Sequence, residues 1–250
     1  MVLLVDVGNS NVVFGFAKDN EIIDTFRFKS LTDITTDEYF LLIKTMLDKY
    51  EIDDVIISSV VPVITSALKK LFNKYLKKDP IIIGPGIKTG IELIVDDPKS
   101  VGTDIICDCA GAMKRFDEAI IIDLGTATKY IYVKKNKFLG CSIAPGVSIS
   151  MKALVNNAAL LPQFELITPK KIINTNTIGC MQSGVLYGSA CQVDGMVDRL
   201  HKELSNNNIP IIATGGLSKI IIPLCNHEIL RVENLTLYGL LEIYKKNITK

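Results

Sequence analysis

Tryptophan is absent from the 250 residues, and phenylalanine and tyrosine bring the aromatic share to only 7%. That leaves little of the ring surface on which single-stranded nucleic acids stack. Charge of one sign is also missing: 28 Lys and Arg against 27 Asp and Glu give a net charge of +1. No overall field therefore draws the chain toward nucleic acid or an anionic membrane, and neither partner is expected. The basic pairs Lys69-Lys70, Lys77-Lys78 and Lys134-Lys135 read as solvated faces and turns. No apolar run reaches the roughly 18 residues that a membrane span needs. Met1 leads directly into an apolar strand pattern with no basic segment ahead of it, so no secretory leader is expected.

Zinc-type ligand spacing is lacking too. Cys107, Cys109, Cys141, Cys180, Cys191 and Cys225 form no C-x₂-C pair, and the only histidines are His201 and His227. Cys107 and Cys109 alternate on a helical stretch and do not easily face one metal. The expectation is reduced, mostly buried thiols in a cytoplasmic protein.

What is present is apolar bulk and repetition. A hydrophobic share of 48% over 250 residues supports either one large core or two fused smaller ones. The run Leu3 to Val7 holds a single acid, Asp6, and leads into Gly8, Asn9, Ser10 and Asn11 before a second apolar run from Val12 to Phe16. This reads as a buried strand, a tight turn and a returning strand. Backbone N–H groups, short polar side chains and one carboxylate then converge, which suits a phosphate with its Mg²⁺. An ordinary hairpin capped by Asp and Asn fits the same residues. A second copy favours the phosphate reading. Ile120 to Ile122, Asp123, Leu124, Gly125, Thr126, Ala127 and Thr128 repeat the plan, and a returning strand from Tyr130 to Val133 follows. A single repeat at this spacing implies two related halves, 1–115 and 116–250, rather than a solenoid.

Between the two turns, a helix is expected after Thr35-Thr36-Asp37-Glu38, a strand from Val55 to Val61 and a helix opened by Pro62. A short strand, Ile81 to Ile83, comes next. Strands and helices in this order make an α/β protein with mixed sheets. Gly84 to Gly90 is too rich in glycine for regular structure. Val101-Gly102-Thr103-Asp104 precedes a helix from Ile105 to Lys114; Asp104 fits an N-cap and, alternatively, a general base at a helix start. In the second half a long helix is expected from about Ile178 to Leu204, studded with small residues such as Gly184 and Gly188 that permit close helix approach. A strand from Ile209 to Ala213 then runs into Thr214-Gly215-Gly216, where backbone lies open to a flat ligand such as adenine. An apolar-faced helix, Leu235 to Tyr244, closes the pattern.

Two Asp-x-Gly turns and a later Gly-Gly turn resemble the sugar kinase, Hsp70 and actin superfamily. The finer motifs resemble the type III pantothenate kinase family across nearly the whole chain, in order. They are Asp-Val-Gly-Asn-Ser-Asn at 6–11, Ser-Ser-Val-Val-Pro at 58–62, Gly-Pro-Gly-Ile-Lys-Thr-Gly at 84–90 and Val-Gly-Thr-Asp at 101–104. Asp-Leu-Gly-Thr-Ala-Thr at 123–128, Ile-Ala-Pro-Gly at 143–146, Met-Gln-Ser-Gly at 181–184 and Ala-Thr-Gly-Gly-Leu at 213–217 continue the series. The resemblance implies two ribonuclease-H-like, actin-like ATPase halves with a nucleotide cleft between them. It implies transfer of the ATP γ-phosphoryl group to pantothenate, the first step of coenzyme A synthesis. Carried onto this sequence, Asp6 holds Mg²⁺, and Val7, Gly8, Asn9, Ser10, Asn11, Val12 and Val13 surround the phosphates. Asp104 is the catalytic base and Asp123 binds a monovalent cation, K⁺ or NH₄⁺. Thr126, Gly215 and Gly216 belong to the ATP site. Val95, Gly102, Thr103, Asp104, Ile105 and Thr177 occupy substrate-side positions. The family pattern is a cytoplasmic homodimer.

Four departures stand out. Ile105 replaces the arginine of Gly-x-Asp-Arg, Val95 replaces a tyrosine, Lys129 replaces a threonine and Cys141 replaces a glycine. Losing a charged hydrogen bond of the arginine type costs on the order of 1.5–3 kcal/mol, about 10- to 100-fold in affinity. Besides pantothenate kinase, two alternatives follow: a kinase of this fold for another small alcohol, or a nucleotide-binding regulatory paralogue with weak catalysis. Retention of Asp6, Asp104 and Asp123 favours an enzyme. Lys129 admits two readings, a solvent-facing strand lysine or an ammonium that stands in for the monovalent cation.

Overall fold

The computed structural model describes residues 1–248. They cluster into two compact units: Met1–Arg115 with Asn136–Phe138 and the chain from Asn234 onward, and Phe116–Lys135 with Leu139–Glu233.

In the first unit, β1 (Val2–Val7), β2 (Asn11–Lys18) and β3 (Glu21–Lys29) form an antiparallel meander. After α1 (Thr36–Leu47), β4 (Asp54–Ser59) pairs parallel with β1. After α2 (Pro62–Leu71), β5 (Ile81–Ile82) pairs parallel with β4. The sheet order is β3-β2-β1-β4-β5. β1 and residues 55–57 of β4 are apolar runs because both their faces are covered, as in other buried central strands. β3 is an edge strand and alternates between half-buried and exposed residues. Thr35 starts α1 with a capping box, its hydroxyl bonded to Glu38 N–H and its own N–H bonded to the Glu38 carboxylate. Pro62 starts α2, where its missing N–H is not needed. Leu3, Val5, Phe14, Phe16, Tyr39, Ile57 and Leu68 are among the side chains of the core between sheet and helices. The remaining elements before the second unit are the short β6 (Glu92–Leu93) and α3 (Thr103–Met113).

The second unit repeats this plan. β7 (Glu118–Leu124) and β8 (Ala127–Lys134) form the hairpin, and β9 (Lys137–Pro145) follows. After α4 (Val147–Asn157) and the 28-residue α5 (Thr177–Leu204), β10 (Ile211–Thr214) pairs parallel with β7. After the short α6 (Ser218–Ile221), β11 (Leu230–Arg231) pairs parallel with β10. The order β9-β8-β7-β10-β11 matches β3-β2-β1-β4-β5 strand for strand. Leu186, Ala190, Val193 and Val197 of α5 recur at helical spacing and pack with Ile120, Ile122, Leu124 and Tyr130. Asn176 caps α5 by accepting from Gly179 N–H at 2.8 Å. β6 pairs with Lys137 and Phe138, the residues of β9 that cluster with the first unit.

The closing helix α7 (Leu235–Ile248) packs on α3 and β1 in the first unit. The sequence division placed it in 116–250; its apolar partners lie elsewhere. The contact is close: a methyl group added at Gly239 would lie 1.8 Å from the Cys107 carbonyl oxygen. Tyr244 Oη donates to Asp54 at 2.6 Å, and Thr236 Oγ1 donates to the buried Asp108 at 2.7 Å. Among the described residues, no helix is long and apolar enough to cross a membrane. The expectation of mostly buried thiols is corrected: Cys107 and Cys109 are buried, Cys225 is intermediate, and Cys141, Cys180 and Cys191 are exposed.

Candidate active site

In the first unit the chemistry collects at the carboxyl ends of β1 and β4. Asp6 stands beside Ser58 in the parallel register, and Val7 beside Ser59. The Asp6 turn is closed by Gly8 N–H, which donates to Asn11 O at 3.0 Å. Ser30 ties it from outside: its hydroxyl donates to Gly8 O at 2.5 Å and its N–H to Ser10 O at 3.1 Å. Val7 and Val12 are buried, whereas Asn9 and Ser10 are exposed at the tip. Asn11 and Val13 are intermediate. The turn thus presents backbone and small polar groups outward on an apolar base.

The start of α3 meets this edge through Thr103. Its hydroxyl lies 3.0 Å from Ser58 Oγ, accepts from Ser59 N–H at 3.0 Å and sits 3.1 Å from Ser59 O. That set of bonds fixes where the helix begins. Gly102 is the N-cap, Thr103 the first helical residue and Asp104 the second. The N-cap expectation for Asp104 is therefore corrected: its carboxylate accepts from Ile105 N–H at 2.9 Å, inside the first turn. A carboxylate there is stabilised by the helix dipole. One turn further on, Cys107 is fully buried. Burial pushes its thiol well above the usual range, and the charges of Asp6, Asp108 and Asp104 push the same way against a hydrogen bond with Ser58. Sequence reasoning missed Ser58 and Ser59 as positioning groups for Thr103; the Ser-Ser pair closing an apolar strand was the available signal. Ile105 is 6% exposed and Val95 half-buried, so neither departure presents a polar group.

In the second unit Asp123 and Lys129 face each other across the β7–β8 pair. Lys129 Nζ lies 2.7 Å from Asp123 Oδ2, with the side chains 9% and 14% exposed. The solvent-facing reading of Lys129 is corrected. Gly125 N–H donates to Ala127 O at 3.1 Å and closes the turn that carries the half-buried Thr126. The Gly-Gly turn lies directly on it. Gly215 has φ +91°, and a methyl group there would lie 2.5 Å from the Leu124 carbonyl carbon and 2.7 Å from Asp123 Oδ1. Ser218 Oγ donates to Gly215 O at 2.7 Å, which holds the loop while leaving Gly216 exposed. Thr177 is the exposed first residue of α5 and lines a groove with Ser150, Leu154, Met181 and Gly184.

The two turns differ in what they can hold. Among the described residues, no three His, Cys, Asp or Glu side chains gather as a metal site. A single carboxylate beside phosphate-binding N–H groups is nevertheless the ordinary protein contribution to Mg²⁺, which keeps waters and phosphate oxygens as its other ligands; the Asp6 turn fits. The Asp123 carboxylate already carries an ammonium, so it does not fit a further monovalent cation.

Two mixed sheets of matching strand order, each with an Asp-x-Gly hairpin, define the actin-like ATPase and sugar kinase class of fold. The chain superposes on a ROK family glucokinase from Streptomyces griseus, solved with glucose and AMPPNP, with TM-score 0.53, 12% identity and coverage of 98% of this chain and 99% of that one. It also superposes on component A of the Acidaminococcus fermentans (R)-2-hydroxyglutaryl-CoA dehydratase with TM-score 0.58, 14% identity and coverage of 100% and 99%. A type III pantothenate kinase family model matches residues 2–199. A type III pantothenate kinase of Acholeplasma laidlawii is 44% identical over 248 residues, 99% of this chain and 100% of the relative. The chain belongs to the type III pantothenate kinase family.

Proposed function

We propose that this protein transfers the γ-phosphoryl group of ATP to the primary hydroxyl of pantothenate, yielding 4'-phosphopantothenate. The observation that carries the reading is the clamp of Thr103 on Ser58 and Ser59, which sets Asp104 at a helix start beside the strand of Asp6. Phosphoryl transfer needs mainly positioning and charge neutralisation. N–H groups and hydroxyls from Asn9 to Asn11 hold phosphate oxygens in the turn that Gly8 closes, with Val7, Val12 and Val13 supplying backbone. Asp6 would hold Mg²⁺, which neutralises phosphate charge when bound. Asp104 accepts the hydroxyl proton as the oxygen attacks phosphorus, and a positioned base of this kind contributes on the order of 10²–10⁴ in rate. Gly102 and Thr103 present the α3 N-terminus to the substrate. Thr126 contacts ATP, and Gly215 and Gly216 flank its nucleoside. Thr177 contacts pantothenate in a cytoplasmic homodimer, a reading supported by the open space around Gly184 and Gly188 of α5.

Apolar residues at Val95 and Ile105 favour one second reading, the same reaction on another small alcohol. ATP consumption by the purified protein, with and without pantothenate, tests both. Pantothenate-dependent ADP release is expected. Its absence, with turnover on a different alcohol, would establish the second reading instead.

A further inference from the structure

Lys129 sits where a strand lysine is expensive. It is 8% exposed on a face that continues into Ile131 and Val133, both fully buried, with Ile121 opposite Ile131. A lysine on such a face is tolerated only if its ammonium meets a fixed anion. It meets Asp123 directly across the ladder at 2.7 Å, and the other Asp123 oxygen faces the Gly215 backbone. The carboxylate at the head of the second turn is therefore neutralised by the chain itself. A second monovalent cation on that carboxylate would stand next to a positive charge in a poorly solvated place, where like charges repel strongly.

We infer that the Lys129 ammonium is a built-in cation: it takes the place that the family resemblance gives to K⁺ or NH₄⁺ at Asp123. It makes nucleotide binding by the Thr126 turn independent of added monovalent cation. Lys129 is a positioning residue, acting through Asp123 on the turn. A tethered charge needs no capture from solution, so the turn is organised in advance. The nucleotide-binding part of the inference rests on the reading of the second turn given above.

The test compares the purified protein in choline, potassium and ammonium chloride at about 0.1 M, with ionic strength matched because salt screens charge. The readouts are the Tm of the ligand-free protein, the Kd of a non-hydrolysable ATP analogue and pantothenate-dependent turnover. For the natural sequence, all three are expected to be the same in the three salts. Lys129→Ala is expected to weaken analogue binding about tenfold in choline, a difference of about 1.4 kcal/mol, and to regain affinity and Tm in potassium. Lys129→Arg keeps the charge and is expected to stay indifferent to the salt. Analogue affinity or Tm of the natural protein rising in potassium overturns the inference, whether or not Lys129→Ala folds. So does a folded Lys129→Ala that binds the analogue in choline as the natural protein does. Absence of turnover in all three salts overturns the pantothenate kinase reading instead, while the Tm comparison still decides the role of Lys129.

Discussion

Asp104 accepts a hydrogen bond from the N–H of its own neighbour Ile105, and an asparagine oxygen accepts the same bond. Asp104→Asn is therefore expected to fold normally and to keep nucleotide affinity while turnover falls on the order of 10²–10⁴-fold. Steady-state kinetics beside circular dichroism check this; undiminished turnover would remove Asp104 from the role of base. Gly215 carries a different constraint. Its left-handed φ of +91° costs a residue with a side chain about 1–2 kcal/mol, and the added methyl also meets the Leu124 carbonyl group. Gly215→Ala is expected to weaken nucleotide binding at least about tenfold, a difference of about 1.4 kcal/mol, in a titration calorimeter. The aspartates and glycines of both turns were legible in the sequence, because an acid inside an apolar run and a glycine just after it have few structural reasons to recur. For Lys129 the sequence left two readings open, a solvent-facing strand lysine and a stand-in for the cation, and could not choose between them. Its burial depends on the hairpin register that sets it opposite Asp123, and a lone lysine between Thr128 and Tyr130 looks like any strand lysine.

Elements were read well where a local signal sets their ends. The capping box at Thr35 and Glu38, Pro62 at the head of α2 and Asn176 at the head of α5 are such signals. The start of α3 was misjudged because a contact distant in sequence sets it, the Thr103 hydroxyl on the end of β4. The packing of α7 on α3 shows the same limit and yields a prediction about pH. Glu242 on α7 bonds Lys114 at 2.8 Å and Lys245 at 2.7 Å. Burial raises its carboxyl, but the hydrogen bonds to Lys114 and Lys245 outweigh that and leave it below the usual carboxylate range. A carboxyl lowered on folding adds stability that is present above its unfolded value of about 4.3. That stability is lost as pH falls through the folded value. Glu242→Gln is expected to lower stability at neutral pH by less than about 1 kcal/mol, since the pair is partly exposed, and to flatten the acid limb below pH of about 4. Urea titrations across pH read both effects. An unchanged acid limb would show that the Lys114 contact adds nothing.

The molecule as a whole is a duplicated sheet whose first copy is completed by the end of the chain. The duplication could be read from two Asp-x-Gly turns. The return of α7 could not, since amphipathic periodicity tells that a helix has a buried face but not which surface covers it. The consequence is that the first unit should not fold from its contiguous residues alone. Leu235, Leu237, Leu240, Leu241, Ile243 and Tyr244 are all buried. At about 1.5–3 kcal/mol for each large side chain, an upper estimate, their burial is on the order of 10 kcal/mol, comparable to the roughly 5–15 kcal/mol net stability of a domain. A fragment of residues 1–115 also loses the Thr236 bond to buried Asp108 and the Tyr244 bond to Asp54. It is expected to lack a cooperative urea transition by circular dichroism. Joining residues 234–250 to it through a flexible linker restores the covering helix and should restore the transition. Within that joined fragment, Gly239→Ala should abolish the rescue, because its methyl group would lie 1.8 Å from the Cys107 carbonyl oxygen on α3; overpacking against fixed backbone costs about 3 kcal/mol or more. A 1–115 fragment that unfolds cooperatively without the helix would show that α7 covers a unit already stable, and that the chain end is not needed to complete the first copy.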